Sequence, residues 1–128
     1  MARTYQKQKN QIHIRSKASG DRSIGVITLK QSATEYGAGT VVVAEYAAGA
    51  ATGLYVDPVA AGVDVSAYDT VKVAIIHDRI HAADGNQDAV ALVRDAEVYG
   101  NLISLKNLAG AEKTAVAEAL EAAGLITR

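Results

Sequence analysis

Cysteine, tryptophan and phenylalanine are all missing from this 128-residue chain, and proline and methionine occur once each. Without cysteine there is no disulfide staple and no thiolate metal site, and the redox compartment is left open. Without Phe or Trp the apolar share of 49% overstates the core, because alanine supplies much of it and each alanine buries little area. A chain of this length forms one domain and buries roughly two-thirds of its unfolded surface. The core is therefore expected to be thin and to be finished by a partner chain, with a marginally stable monomer as the alternative. The first twenty residues are polar and basic, unlike a signal peptide, and no run approaches the roughly 18 apolar residues that span a bilayer. A soluble protein made in the cytosol is expected.

Signatures of chemistry are scarce too. No Ser sits in a GxSxG turn, so no nucleophile triad is indicated. The Gly-rich pieces GAG (37–39) and GAATG (49–53) lack both the GxGxxG spacing and a following Lys-Ser/Thr, and they read as turn glycines rather than a phosphate cradle. Residues 84–88 (DGNQD) lack the glycine and the distal bidentate glutamate of a calcium loop. His77 and His81 stand four apart in HDRIH, with Asp78 and Asp84 nearby, a spacing that suits zinc only on a continuous helix. Here the segment leaves a strand and enters a turn, so the pair reads as surface or subunit-contact histidines. No catalytic residue, metal site or cofactor is assigned, and no enzymatic activity is expected.

The net charge of −1 hides a division along the chain. Residues 1–30 hold Arg3, Lys7, Lys9, Arg15, Lys17, Arg22 and Lys30 against the single acid Asp21, so this part carries +6 and the remainder −7. Residues 1–22, poor in aliphatics, read as a mobile basic tail that cannot offset its own ordering entropy. Those cations would contact phosphate backbones in a salt-dependent way, but Tyr5 is the lone aromatic there for stacking. A basic-tailed nucleic-acid-associated module is therefore the alternative reading, not the leading one.

The hub of the chain is residues 37–58 (GAGTVVVAEYAAGAATGLYVDP), two β-prone strands around a small-residue turn, closed by Asp57-Pro58. Ahead of it, residues 23–29 (SIGVITL) place Ile24, Val26 and Thr28 on one face and Gly25, Ile27 and Leu29 on the other, a strand wanting cover on more than one side. Residues 30–36 read as a polar linker. The division expected is an N-terminal arm over 1–36 and a compact body over 37–128, with strand 23–29 free to add to another protein's sheet. After a loop over 59–70 come two further strands, VKVAII (71–76) and residues 89–94 within DAVALVRDAEV (88–98), joined through a turn at Asp84-Gly85-Asn86 and expected to form an antiparallel unit beside the hub. Residues 111–123 (AEKTAVAEALEAA) predict a helix with Val116, Leu120 and Ala123 on one face. Gly124 is placed to end it in a left-handed conformation, and residues 125–128 return as a short strand. The fold class is a small, β-rich mixed α/β domain with one C-terminal helix and a flexible N-terminal arm.

In order, AGTVVVAEY, ATGLYVDP, VKVAII, DAVALVRDAEV and the ending NLISLKN…AEALEAAGLITR resemble the head decoration proteins of tailed bacteriophages, the family of the lambda head protein D. The resemblance covers residues 23–128; the basic tail departs from it. It implies a structural protein of the virion that sits as a homotrimer at three-fold and quasi-three-fold positions on the outer surface of the expanded head. There it cements the major capsid protein against the pressure of packaged DNA, and the solution state is monomeric or trimeric. By position the capsid-binding arm is Ile24, Gly25, Val26, Ile27, Thr28 and Leu29, joined in backbone pairing to the shell. Arg3, Lys7, Lys9, Arg15, Lys17 and Arg22 are the electrostatic contacts expected to steer the tail along an acidic capsid surface. Exposed Tyr and Val positions within 53–76 are the expected trimer contact.

Overall fold

The computed structural model describes residues 11, 13–18, 22–47, 49–60, 63–68 and 70–128. They form β1 (Ile14–Lys17), β2 (Ile24–Leu29), β3 (Val41–Ala47), β4 (Ala50–Val56), β5 (Val73–Ile76), β6 (Gln87–Leu92), β7 (Ala96–Val98), α1 (Gly110–Ala122) and β8 (Leu125–Thr127). Short 3-10 turns lie at Val65–Ala67, Gly100–Leu102 and Ser104–Asn107. The fold is the β-rich mixed class with a C-terminal helix that the sequence predicts. No helix among the described residues is long and apolar enough to cross a membrane.

Five strands close into a barrel in the order β2-β4-β3-β5-β6, and a separate sheet has the order β1-β7-β8. Period-two alternation sorts each barrel strand onto two faces. Inward go Ile27 and Leu29 of β2, Val42 of β3, Ala74 and Ile76 of β5, and Ala89 and Ala91 of β6. Five strands enclose a narrow lumen, which explains the alanines: three of these inward residues are Ala, small enough to fit where larger side chains would collide. Tyr36 and Ala82, from the connections on either side of β3 and β5, pack into the same cluster, and the Tyr36 hydroxyl donates to the Lys30 carbonyl at 2.8 Å. Outward go Val41, Val43, Val56, Val73, Ile75 and Leu92. They make a second core with Ala96 and Val98 of β7, Leu125 of β8, and Val116 and Leu120 of α1. The helix face read from the sequence is thus the buried one, with Ala123 half-buried at its end.

The hub hairpin is present as expected: β3 and β4 pair antiparallel with a register shift between Ala44 and Tyr46, and Gly49 turns at φ 78°. Beside it β5 pairs with both β3 and β6, so the expected antiparallel unit is built into the barrel wall.

The expected arm is corrected by this topology. Residues 23–29 do not stand outside the body, because β2 is a barrel stave that pairs with β6 along its whole length, from Ile24↔Leu92 to Leu29↔Gln87. Its other edge meets β4 at Leu29↔Tyr55, where the Lys30 N–H donates to the Tyr55 carbonyl at 3.0 Å. The boundary at residue 36 therefore falls inside the barrel. The expected mobile tail is corrected in part: Ile14–Lys17 pairs antiparallel with β7. Ser23, fully buried, ties the passage between β1 and β2 to the sheet by accepting from the Ala18 N–H at 2.8 Å and donating to the Asp95 carbonyl at 2.7 Å. The expectation for residues 1–10 lies outside the described residues.

Gly124 ends α1 at φ 76°, the left-handed conformation its position suggests. A Cβ there would lie 2.7 Å from Asp95 Oδ1 and 3.3 Å from the Asp95 backbone N. The carboxylate can swing aside, but the backbone cannot, since the Asp95 N–H donates to the Ala123 carbonyl and the Ala96 N–H to the Gly124 carbonyl, both at 3.2 Å. Gly124→Ala is expected to lower the unfolding free energy by about 1–3 kcal/mol, read as a fall in the urea midpoint at unchanged slope.

Candidate functional site

Among the described residues the outer wall of the barrel is covered on one side only. Ile75 and Leu92 lie under α1 and the three-stranded sheet, but farther along the same faces of β2 and β6 the cover stops. Val26 is 71% exposed and its cross-strand partner Val90 is 42% exposed. Both are β-branched residues in good strands, so local preference accounts for their place in the ladder and burial does not. Next to them Thr28 Oγ1 donates to Asp88 Oδ1 at 2.8 Å, and Ile24 is half-buried. The facing read from the sequence holds, with Ile24, Val26 and Thr28 outside and Ile27 and Leu29 buried inside. At Gly25 the wall is tight, since a Cβ would lie 3.1 Å from Val93 Cγ2. Only the outward residues of the expected capsid-binding strand are thus free to meet another molecule through side chains, while its backbone pairs with β6.

The expected electrostatic residues divide. Arg3, Lys7 and Lys9 lie outside the described residues. Arg15 faces Glu97 at 3.6 Å, Arg22 faces Asp95 at 3.5 Å, and Lys17 is exposed on β1. Lys30 pairs with Glu45 at 2.7 Å across the seam where the barrel closes. These are solvent-exposed pairs worth little in stability, but they set the described part of the basic segment against acids of its own body.

The two histidines that the sequence sets four apart are not brought together. His77 is buried, which corrects the expected surface role: its Nδ1 lies 3.2 Å from Asp78 Oδ1, and its carbonyl accepts from the Gln11 N–H. His81 is exposed and turns the other way, with Nε2 2.8 Å from Glu35 Oε2, a carboxylate that Arg79 also approaches at 3.6 Å. No group of three or more metal-ligating side chains forms among the described residues. The histidine the sequence reading overlooked is His13. It is fully buried, and neither ring nitrogen makes a well-formed hydrogen bond among the described residues, the Ile76 carbonyl offering only a weak contact. Burial, and then the neighbouring His77, lower its pKa to about 4, against weaker upward effects of Asp78 and the Ile76 carbonyl. A polar residue in a polar segment gives no sequence signal of burial, which is why it escaped notice.

Of the Tyr and Val positions within 53–76, few are open to a partner. Val56, Val65 and Val73 are core residues, Tyr55 is half-buried, and the Tyr68 ring packs on Tyr46 with centroids 5.2 Å apart. Val59 is the large apolar residue of that segment that stands exposed among the described residues.

What the geometry defines is a small closed barrel backed by a three-stranded sheet and one helix, with an exposed apolar strip on its uncovered wall. Comparison with protein-family models, curated proteins and solved structures returns no match to this chain.

Proposed function

We propose that the protein is a phage capsid decoration protein, binding as trimers at three-fold and quasi-three-fold positions on the outer surface of the expanded head and stabilising it against internal DNA pressure. The observation that carries this reading is Val26. The strand to which the family resemblance gives the shell contact bears the most exposed large apolar residue of the described chain, paired with exposed Val90. Two exposed valines paired across neighbouring strands form a small apolar patch that a partner could cover. The resembling segments fall on β3, β4, β5, β6 with β7, and the α1–β8 ending, all in one body. Contact is then made through side chains of the barrel wall, not by a detached strand. The many equivalent positions of a shell multiply a modest energy per site. The nucleic-acid reading finds less support, because Arg15 and Arg22 face acids of their own body.

The test is co-sedimentation with expanded, undecorated shells from the phage of origin. Saturable binding at about three copies per three-fold site is expected. Val26→Glu combined with Val90→Glu should weaken it at least about tenfold while the thermal midpoint stays within a few degrees, since both positions are exposed. Failure of the unaltered protein to bind such shells overturns the reading. Binding by the double variant at full strength keeps the shell role but removes the wall from it.

A further inference from the structure

The three-stranded sheet leans on the barrel unequally. Strands β7 and β8 bring Ala96, Val98 and Leu125 into the core, whereas β1 gives only Ile14, half-buried at its margin. Strand β1 has four residues, lies at the edge of the sheet, pairs with β7 alone and is broken by the register shift between Ile14 and Ser16. The five barrel strands close without it. A short edge segment with little apolar burial belongs to the low end of local stability. What holds it down lies just ahead of the ladder. His13 is fully buried, and the backbone around it is tied to both layers: the Gln11 N–H donates to the His77 carbonyl at 3.2 Å, and the Tyr99 N–H donates to the His13 carbonyl at 2.9 Å. The ring thus plugs the joint between the end of β5 and the end of β7.

What faces the ring decides how the joint answers acid. From the β5 end come the Ile76 carbonyl, a weak contact, the buried His77 and, beyond it, Asp78, whose Oδ1 lies 3.2 Å from His77 Nδ1. From the β7 end comes Tyr99, whose side chain is exposed. On the segment itself Arg15 turns out to Glu97 at 3.6 Å, and Lys17 is exposed. No carboxylate is hydrogen-bonded to His13 among the described residues. An imidazolium formed in place would be a buried charge beside a second imidazole, whereas the same ring in water takes up the proton freely. Protonation is therefore coupled to departure of the ring, and the ring can leave with β1 without opening the barrel. We infer that Gln11, His13 and β1 form an acid-released strap: proton uptake by His13 lifts the strap off His77 and β7, while the barrel, α1 and the β7–β8 pair stay folded. Release exchanges one sheet edge for another. The departing edge is guarded by its register shift and by Arg15 and Lys17, and the edge uncovered is β7, where the Tyr99 N–H loses its acceptor. This goes beyond the shell reading and does not depend on it.

Amide exchange on the full-length chain, corrected for the intrinsic effect of pH, tests it. The Gln11 and Tyr99 amides bridge the joint, and they should exchange through a smaller opening free energy than two controls: the Ile76 amide, bonded to the Thr40 carbonyl in the barrel, and the Arg128 amide, bonded to the Val98 carbonyl. Protection at Gln11 and Tyr99 should fall about twentyfold between pH 7 and pH 5, as the open strap gains a proton that the closed one refuses. In His13→Leu the fall should shrink to less than about twofold. His13→Gln, which keeps a polar side chain but takes up no proton, gives the same readout where the leucine variant does not fold. Equal opening free energies for the strap and the two controls at pH 5 overturn the inference, because the strap then leaves only with the whole fold. Protection at Tyr99 that is unchanged from pH 7 to pH 5 also overturns it, as does a full-sized fall that survives replacement of His13.

Discussion

Acidification from pH 7 to pH 4 is expected to lower the unfolding free energy by about 3 kcal/mol through His13 alone. The folded-state pKa of this imidazole is lowered to about 4 from 6.5 in the unfolded chain. Between those values the unfolded state binds a proton that the native state refuses. Stability is therefore full above pH 6.5, falls as pH drops through the window, and levels off below about 4. The cause is local: a fully buried ring with no well-formed hydrogen bond among the described residues, next to a second imidazole. Asp57 acts in the opposite direction, since burial raises its pKa and favours the native state as its carboxylate takes up a proton. His13→Leu separates the two. It keeps an apolar body of similar reach and removes two poorly bonded nitrogens, so its unfolding free energy should vary less between pH 7 and pH 4 by about 3 kcal/mol. Urea titrations at pH 7, 5.5 and 4 on both proteins decide the matter, and parallel pH profiles would show that His13 is solvated in the folded state.

Ile75→Ala should cost about 2–5 kcal/mol. Ile75 is fully buried and stands in a row that crosses four strands, Val41↔Ile75↔Leu92↔Ile24. It belongs to the outward-facing core, where barrel, helix and three-stranded sheet meet without any Phe or Trp to share the load. Removing its side chain opens a cavity between rigid walls, and the facing valines are stiff at χ1 and do not relax into it easily. Val26→Ala is the matched control: also a β-branched strand residue, but 71% exposed, with an expected change within about 0.5 kcal/mol. Denaturant midpoints of the two variants, compared at equal slope, read the difference directly. A loss below about 1 kcal/mol for Ile75→Ala would mean that the barrel and its backing layer are not packed against one another.

Local chemistry made much of this architecture legible and long-range pairing hid the rest. The hairpin at 37–58, the apolar β5, the face of α1 and the left-handed Gly124 each follow from neighbours within a few residues. The placement of 23–29 does not. Its apolar residues on both faces correctly signalled a need for cover, but its partner β6 lies some sixty residues further on, and nothing in SIGVITL says whether that cover comes from the same chain or another. The polar stretch around it reinforced the wrong choice, although Ser23 and His13 are polar residues that the fold buries. The strand expected over 89–94 corresponds to β6, and the short β7 beyond it escaped notice, because three residues after Arg94-Asp95, where Asp95 stands at φ 50°, give little local pattern to read. For the candidate surface, alternation gave the outward side of β2, but that Val26 and Val90 lie beyond the reach of α1 and the second sheet is a property of the assembled layers.

The two flanks of β7 carry one more implication. Ile14 and Thr127 both pair with Val98, from opposite sides. Strands β1 and β8 therefore meet the outside at the same end of one sheet, about 10 Å apart at two strand spacings. A linker of a few residues suffices to join them, and new termini opened at Gly49 or at Asp84-Gly85 would interrupt only hairpin turns. Circular permutation, or an insert carried on both ends at once, leaves the barrel and its backing layer in place.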